Sequence, residues 1–196
     1  MNPFDFYFDY RSPYSYLAFT QLRGLVGTAR FQPFDIRDVM QRVGNVPTSA
    51  ICKVKNEYVR ADLQRWAARY GVALVRHPRA AEIDARRLLR ATLAVGPDDG
   101  AARASAAATL FHAMWRDAAT LDTVTDVSRV LTDAGLDGRR IELLIDDPAT
   151  DAALDACSAR AAERGVFGAP TFVVGSDMYF GNDRLEFLRQ RLSAAP

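Results

Sequence analysis

Residues 4–18 decide the fold: Phe4-Asp-Phe-Tyr-Phe-Asp-Tyr-Arg-Ser-Pro-Tyr-Ser-Tyr-Leu-Ala18. The mostly aromatic residues from Phe4 to Phe8 predict a strand. Ser12 followed by Pro13 predicts the first turn of a helix. Such a helix directs unpaired backbone N–H groups and the positive end of its dipole toward the space beside Ser12. The stretch therefore predicts a strand that leads directly into a helix, with either an anion site or an ordinary capped helix at the junction.

A second stretch lies near the end of the chain, Val166-Phe-Gly-Ala-Pro-Thr-Phe-Val-Val174. Gly-Ala-Pro-Thr before an apolar strand favours a cis-proline turn at Pro170, which would leave backbone hydrogen-bonding groups exposed at a sheet edge. The residues that follow predict two strands, a helix cap and a last helix: Thr171–Val174, Met178–Phe180, Asn182–Arg184 and Leu185–Leu192.

Composition excludes several classes of function. The 196 residues are 49% hydrophobic with a net charge of +1, so we expect one sizeable core and binding to neither nucleic acid nor membrane. No secretory leader is recognisable. Cys52 and Cys157 have no metal-ligand or Cys-x-x-Cys spacing, and His77 and His112 are the only histidines. We therefore expect no metal site, and two buried, reduced thiols in a cytoplasmic protein.

The order of elements predicts an α/β fold. A helix over Pro13–Thr28 and a parallel strand over Phe31–Ile36 follow the first strand, and Arg37–Thr48 is predicted to be a loop. Residues 1–37 and 160–196 are predicted to form a thioredoxin-like domain, and 38–159 a helical insertion domain between its βαβ half and its C-terminal ββα half. The insertion is predicted to be built of helices near Ser49–Tyr70, Ala81–Val95, Ala101–Ala118, Thr123–Ala134, Arg139–Ile145 and Ala149–Arg164.

The turn around Ser12 carries serine where thioredoxin-like oxidoreductases have Cys-x-x-Cys. Ser12 and Ser15 occupy the two cysteine positions, and a hydroxyl cannot cycle through a disulfide. A nucleophilic serine would need a neighbouring base, and neither histidine lies in a motif that suggests one. We therefore expect the Ser12 hydroxyl and the helix N-terminus to stabilise a thiolate that a ligand supplies. Helix N-termini depress thiol pKa values by roughly 1–5 units.

Four segments together carry a resemblance to a known family. The chain resembles the 2-hydroxychromene-2-carboxylate isomerases, relatives of the kappa-class glutathione transferases in the DsbA-like branch of the thioredoxin fold. The resemblance is carried, in order along nearly the whole chain, by residues 6–18, by Gly44-Asn45 with 53–58 and 62–67, by 165–172 and by 178–185.

The resemblance implies a cofactor, a catalytic residue and a set of contacts. The cofactor is glutathione, and Ser12 is the catalytic residue that contacts its sulfur. The cofactor contacts implied are Ser12, Ala169, a cis-Pro170, Phe180, Gly181, Asn182 and Asp183, the last four at the γ-glutamyl end. The substrate side is implied to include Asn45, Lys55 and Tyr58. We also expect a homodimer that acts on a small aromatic molecule.

Three functions remain open at this point. The first is glutathione-dependent conversion of 2-hydroxychromene-2-carboxylate to trans-o-hydroxybenzylidenepyruvate in the degradation of aromatic compounds. There, reversible thiol addition would let a double bond rotate. The second is a kappa-like transferase that conjugates electrophiles, and the third is a non-catalytic thioredoxin-like binding module.

Two structural expectations concern the predicted helix over Ser49–Tyr70. We expect Asp62 and Arg65 to form an ion pair and Trp66 to lie in the core.

Overall fold

The computed structural model describes residues 2–96 and 100–194, and within them four strands form one mixed sheet. The strands are β1 (Phe4–Phe8), β2 (Ala29–Pro33), β3 (Thr171–Val174) and β4 (Asp177–Phe180). Their order is β2-β1-β3-β4, with β1 parallel to β2 and antiparallel to β3, and β3 antiparallel to β4. The predicted α/β, thioredoxin-like arrangement is confirmed.

Helices precede, follow and separate these strands. They are α1 (Pro13–Thr20), α2 (Ile36–Arg42), α3 (Thr48–Ile51), α4 (Lys53–Tyr70), α5 (Ala85–Ala94), α6 (Gly100–Trp115), α7 (Val124–Asp133), α8 (Gly138–Ile145), α9 (Pro148–Glu163) and α10 (Leu185–Ser193). Short 3-10 turns cover Val26–Thr28 and Asn182–Arg184. No helix in the described part of the chain is long and apolar enough to cross a bilayer.

Strand β1 is buried on both faces, which places the junction after it at the centre of the molecule. Phe4, Phe6 and Phe8 point into the larger core, where the ring of Phe6 stacks on that of Phe172 with centroids 5.1 Å apart. Tyr7 points to the opposite face, into a second cluster that α2 and α9 cover. Because successive strand residues alternate between faces, the aromatic run fills both cores and holds β1 rigidly in the middle of the sheet.

Three predictions in the first third of the chain are wrong. The second strand, predicted over Phe31–Ile36, instead spans Ala29–Pro33, because Asp35 caps a helix that begins at Ile36. The first helix ends at Thr20 rather than Thr28, since the chain turns at Gly24 with φ +80° and continues as a 3-10 turn. Residues predicted to form a loop after Ile36 instead form α2. The Asp35 carboxylate caps this helix by accepting the Arg37 backbone N–H at 2.9 Å, the arrangement that stabilises a helix start.

The predicted helix from Ser49 to Tyr70 is divided. Cys52 has extended backbone angles and separates α3 from α4. Trp66 is only half-buried and packs on Tyr70 with ring centroids 5.3 Å apart, so its expected place in the core is wrong. Cys52 is exposed and Cys157 half-buried; both are free thiols, but the expected burial is wrong.

Candidate functional site

The junction between β1 and α1 forms a capped helix start, as the sequence predicts. Ser12 is the N-cap, its Oγ accepts the Ser15 backbone N–H at 3.1 Å, and Pro13 is the first helical residue. The backbone N–H of Tyr14, the second residue of the helix, donates to no group within residues 2–96 and 100–194. That unpaired N–H and the dipole of α1 favour negative charge beside Ser12.

Ser12 also contacts the segment 166–174, which contains Pro170. Ser12 Oγ donates a hydrogen bond of 3.0 Å to the Ala169 carbonyl, across 157 positions of sequence. The peptide bond between Ala169 and Pro170 is cis, as the resemblance implies. The Ala169 N–H has no acceptor in the described part of the chain. The structure therefore brings residues 12 and 169 together and leaves a backbone donor available beside the serine hydroxyl.

A cavity of about 730 Å³ opens at this contact. Its walls come from the start of α1, from α2, from the loop before α3, from α4 and from the segment around the cis-proline. The lining residues are Arg11, Ser12, Pro13, Tyr14, Ile36, Arg37, Met40, Gln41, Asn45, Pro47, Lys55, Tyr58, Val59, Gly168, Ala169 and Phe180. The volume falls within the range of small-molecule sites, roughly 300–1,000 Å³.

The predicted site residues divide into two groups by position. Those that line the cavity together are Ser12, Asn45, Lys55, Tyr58, Ala169 and Phe180. Those that are not among the lining residues are Pro170, Gly181, Asn182 and Asp183. The second group is joined to the first because the Gly181 N–H donates to the Pro170 carbonyl at 2.9 Å.

Residues Asn182–Arg184, predicted to hold a γ-glutamyl group and to cap the last helix, form a 3-10 turn. Arg184 is the N-cap of α10 and makes no capping bond with its side chain, so the predicted Asn/Asp cap is wrong. Asn182 is buried; its backbone carbonyl accepts the Tyr70 hydroxyl at 2.9 Å, and its side-chain amide donates to the same hydroxyl. The Asp183 carboxylate is exposed and pairs with Arg184.

Two of the residues that the resemblance implies for the substrate side, Asn45 and Lys55, are anchored by hydrogen bonds. The Asn45 amide donates to the Phe167 carbonyl at 2.8 Å, which ties the loop before α3 to the cis-proline segment. Lys55 donates to the Thr48 hydroxyl. Each contact holds a side chain at the cavity wall, so the wall is set before a ligand arrives.

Asp62 is bound by phenols instead of an arginine. It accepts the hydroxyls of Tyr14 at 2.8 Å and Tyr58 at 3.4 Å, while the guanidinium of Arg65 lies over the Tyr58 ring. The expected ion pair between Asp62 and Arg65 is therefore wrong. Burial, followed by the hydrogen bond to Asp62, raises the pKa of Tyr14, and the charge of Asp183 adds to this effect. Tyr14 thus stays protonated as a donor.

Two buried carboxylates that bind the cavity residue Arg11 were missed at the level of sequence, those of Asp9 and Asp35. Arg11 donates to Asp9 at 2.7 Å and to Asp35 at 3.1 Å. Asp9 is completely buried; burial raises its pKa, and Arg11 opposes that rise. Asp9 also accepts the Ile36 N–H at 2.9 Å, so the two carboxylates connect the β1–α1 junction to the start of α2.

Helix α2 contributes three cavity residues that lie in the predicted loop over Arg37–Thr48, namely Arg37, Met40 and Gln41. A signal for them exists in the sequence. Asp35 precedes apolar residues at Ile36, Val39 and Met40, the spacing of one helix face. Within the described ranges no three His, Cys, Asp or Glu side chains are grouped so as to hold a metal ion.

Comparisons with known proteins agree with this architecture. The family described as DSBA-like thioredoxin domain matches residues 4–193. The chain is 36% identical to a 2-hydroxychromene-2-carboxylate isomerase of Pseudomonas putida, over 96% of this chain and 93% of the relative. It is 33% identical to the protein of that name from Sphingobium xenophagum, over 96% of each. A solved 2-hydroxychromene-2-carboxylate isomerase superposes with a TM-score of 0.85 at 34% identity, covering 96% of this chain and 93% of that one.

Two further similarities are more limited. Glutathione S-transferase kappa 1 of Caenorhabditis elegans is 38% identical over 81 residues, which are 38% of this chain and 34% of that protein. The cytosolic disulfide reductase DsbM from Pseudomonas aeruginosa, solved with GSH, superposes with a TM-score of 0.66 at 14% identity, over 98% of this chain and all of that one. The second likeness concerns the fold alone.

Proposed function

Since the chain belongs to the DSBA-like thioredoxin-domain family, and within it to the 2-hydroxychromene-2-carboxylate isomerases, it is an isomerase, and we propose that it uses glutathione. The proposed reaction is the conversion of 2-hydroxychromene-2-carboxylate to trans-o-hydroxybenzylidenepyruvate. One observation carries the proposal: the Ser12 hydroxyl at the start of α1 meets the cis-proline segment at a cavity. Neither cysteine of the chain lines that cavity, so a thiol there has to come from a ligand.

The residues present fit a thiol tripeptide. Two backbone N–H groups, those of Tyr14 and Ala169, have no acceptor in the described chain and belong to residues that line the cavity. A peptide ligand has carbonyl groups to accept such donors. Ser12 Oγ can turn its proton from the Ala169 carbonyl toward a sulfur anion. The two backbone N–H groups are fixed in place before the ligand arrives, which is the preorganisation that stabilises a reacting anion.

When bound, glutathione supplies a thiol whose reversible addition to a conjugated carbon allows rotation about a double bond. This chain's residues supply orientation and charge. The N-terminus of α1 lowers the pKa of a thiol placed beside Ser12, and the hydroxyl donates to the sulfur. The Tyr14 phenol, whose pKa is raised by burial and by Asp62, stays protonated and donates its hydrogen bond to Asp62, which fixes the phenol at the cavity wall.

The γ-glutamyl end of glutathione is assigned to residues next to the cis-proline segment. We place the γ-glutamyl end against Phe180, Gly181, Asn182 and Asp183. The Asp183 carboxylate is exposed and would exchange part of its pairing with Arg184 for the ligand ammonium. Asn45, Lys55 and Tyr58 are placed on the substrate side, where all three line the cavity.

The character of the wall supports an organic anion as substrate. Among the described residues that line the cavity there is no Asp or Glu, while Arg11, Arg37 and Lys55 bring positive charge. The remaining wall is largely apolar, with Met40 and Phe180 among its side chains. A flat aromatic body with a carboxylate matches that combination.

A glutathione transferase is the alternative, because part of the chain is similar to a kappa-class transferase. The two functions differ in what happens to the thiol. The experiment incubates the purified protein with 2-hydroxychromene-2-carboxylate and follows product absorbance and free thiol together. We expect isomerisation that requires glutathione and leaves its concentration unchanged. Consumption of the thiol would favour the transferase, and isomerisation at the same rate without glutathione would contradict the proposal.

A further inference from the structure

Arg37 is distinguished from the other cations of the cavity by its lack of a partner. It lies on α2, lines the cavity and is exposed. Its backbone is fixed, because its N–H donates to Asp35 at 2.9 Å. Its guanidinium forms no ion pair or hydrogen bond with any group of residues 2–96 and 100–194. A fixed backbone with an unpaired charged group is suited to receive a ligand.

The two other cations are already engaged. Arg11 donates to two buried carboxylates, those of Asp9 and Asp35, at 2.7 and 3.1 Å. Taking Arg11 away from them would leave buried negative charge unpaired, which is costly. Lys55 donates to Thr48. An arriving carboxylate therefore meets the least competition at Arg37.

The surroundings of Arg37 specify the kind of carboxylate. Ile36 and Met40, on the same helix, line the cavity beside it, and Gln41 adds an amide one turn away. A guanidinium binds a carboxylate through two parallel N–H donors. Apolar side chains next to that fork favour a carboxylate attached to a flat unsaturated body over a free inorganic anion.

We infer that Arg37 is the specificity-determining residue that binds the carboxylate of the substrate, through a two-pronged contact at the α2 wall. This inference rests on the proposed function, because it assigns the carboxylate of an aromatic acid to that wall. It separates the substrate from the tripeptide: Arg37 binds the acid, and the Ser12 and Ala169 side of the cavity binds the thiol ligand.

The first test compares two arginines of one helix. Arg37→Gln removes the proposed contact, and Arg42→Gln is the control, since Arg42 pairs with Asp38 at 2.9 Å and does not line the cavity. We expect Arg37→Gln to raise KM for the chromene carboxylate about 10- to 100-fold, the range for a lost charged hydrogen bond. The kcat and the Kd for glutathione should stay within about twofold of wild type, as should all constants of Arg42→Gln. Arg37→Lys should restore part of the loss.

A binding test needs no turnover, so it separates this inference from the proposed reaction. The probes are trans-cinnamate and its neutral analogue trans-cinnamamide, titrated into the wild type and both variants. We expect the wild type to prefer the carboxylate by about tenfold or more, and Arg37→Gln to lose that preference. A preference unchanged in Arg37→Gln would overturn the inference, as would a loss of glutathione affinity with an unaltered KM. Absence of isomerase activity in the wild type would instead refute the proposed function, while the cinnamate comparison still decides the role of Arg37.

Discussion

Replacing Ser12 by alanine tests both the local structure and the chemistry of the site. The residue is 8% exposed, and its hydroxyl makes two hydrogen bonds: it accepts the Ser15 N–H and donates to the Ala169 carbonyl. Loss of the cap costs about 1 kcal/mol. Leaving the Ala169 carbonyl without its donor costs roughly 1–3 kcal/mol more. We therefore expect Ser12→Ala to lower the free energy of unfolding by about 2–4 kcal/mol.

Ser15 provides a matched control on the same helix. Its hydroxyl is fully buried and makes no hydrogen bond with any group in the described chain. Alanine there removes an unsatisfied polar group and raises helix propensity, so Ser15→Ala should be neutral or stabilising by up to about 1 kcal/mol. The two variants make the same chemical change three residues apart and should differ in sign.

The assay is urea unfolding followed by circular dichroism, with thermal unfolding alongside. For a chain of this length 1 kcal/mol corresponds to about 2–4 °C, so a loss of about 2–4 kcal/mol should lower the Tm of Ser12→Ala by roughly 4–16 °C. Turnover should fall strongly in Ser12→Ala and remain near wild type in Ser15→Ala. Equal destabilisation by the two variants would refute the hydrogen-bond assignment, and full activity of Ser12→Ala would remove the hydroxyl from the mechanism.

Three other perturbations follow from particular contacts. Gly181→Ala would place a Cβ on a residue with φ +105° and against a carboxylate oxygen of Asp183, so we expect roughly 1–3 kcal/mol of destabilisation by urea unfolding and weaker glutathione binding by calorimetry. Asn45→Ala removes the bond to Phe167 and should raise substrate KM at a stability cost of about 1 kcal/mol, which steady-state kinetics and unfolding can separate. Burial lowers the pKa of His112 below 6.5, so as pH falls the unfolded state binds the proton before the folded state does. The free energy of unfolding should therefore decrease as pH drops through 6.5. His112→Gln should flatten this dependence in unfolding experiments measured across pH.

Local signals predicted the start of α1 and strand β3 well. The cap at Ser12 and the proline after it are neighbours in sequence, so the start of α1 is where the pattern predicts it. Strand β3 also has its predicted bounds, because Gly175 permits the tight turn into β4 with φ +60°. Both features are decided within a few residues, which is the range over which sequence patterns carry information.

Helix α2 was missed because its start depends on distant groups. The carboxylate of its cap residue, Asp35, accepts a hydrogen bond from the Arg11 guanidinium, 24 positions away. The Asp35 N–H donates to Ser158 Oγ at 3.0 Å across 123 positions. The Ile36 N–H is accepted by Asp9. The sequence shows Asp35 before an apolar run but not the buried network that ends the strand at Pro33. As a result, one wall of the cavity was absent from the predicted site.

The turn at Asn182 shows the same limit. Asparagine and aspartate before an apolar run are typical of a helix cap, yet Asn182 is held instead by Tyr70, 112 positions away. The segment from Asn182 to Arg184 forms a 3-10 turn, and Asp183 within it is exposed. Long-range pairing of this kind has no signature in a single sequence.

The most direct measurement is the thiol pKa of glutathione when it is bound to the protein. Thiolate ultraviolet absorbance, recorded across pH in the presence of saturating protein, reports it for the wild type and for Ser12→Ala. We expect the wild type to lower this pKa by at least about 1 unit from the ordinary value near 8.5, with most of the shift lost in Ser12→Ala. An unshifted pKa in the wild type, or no binding at millimolar glutathione, would contradict the account.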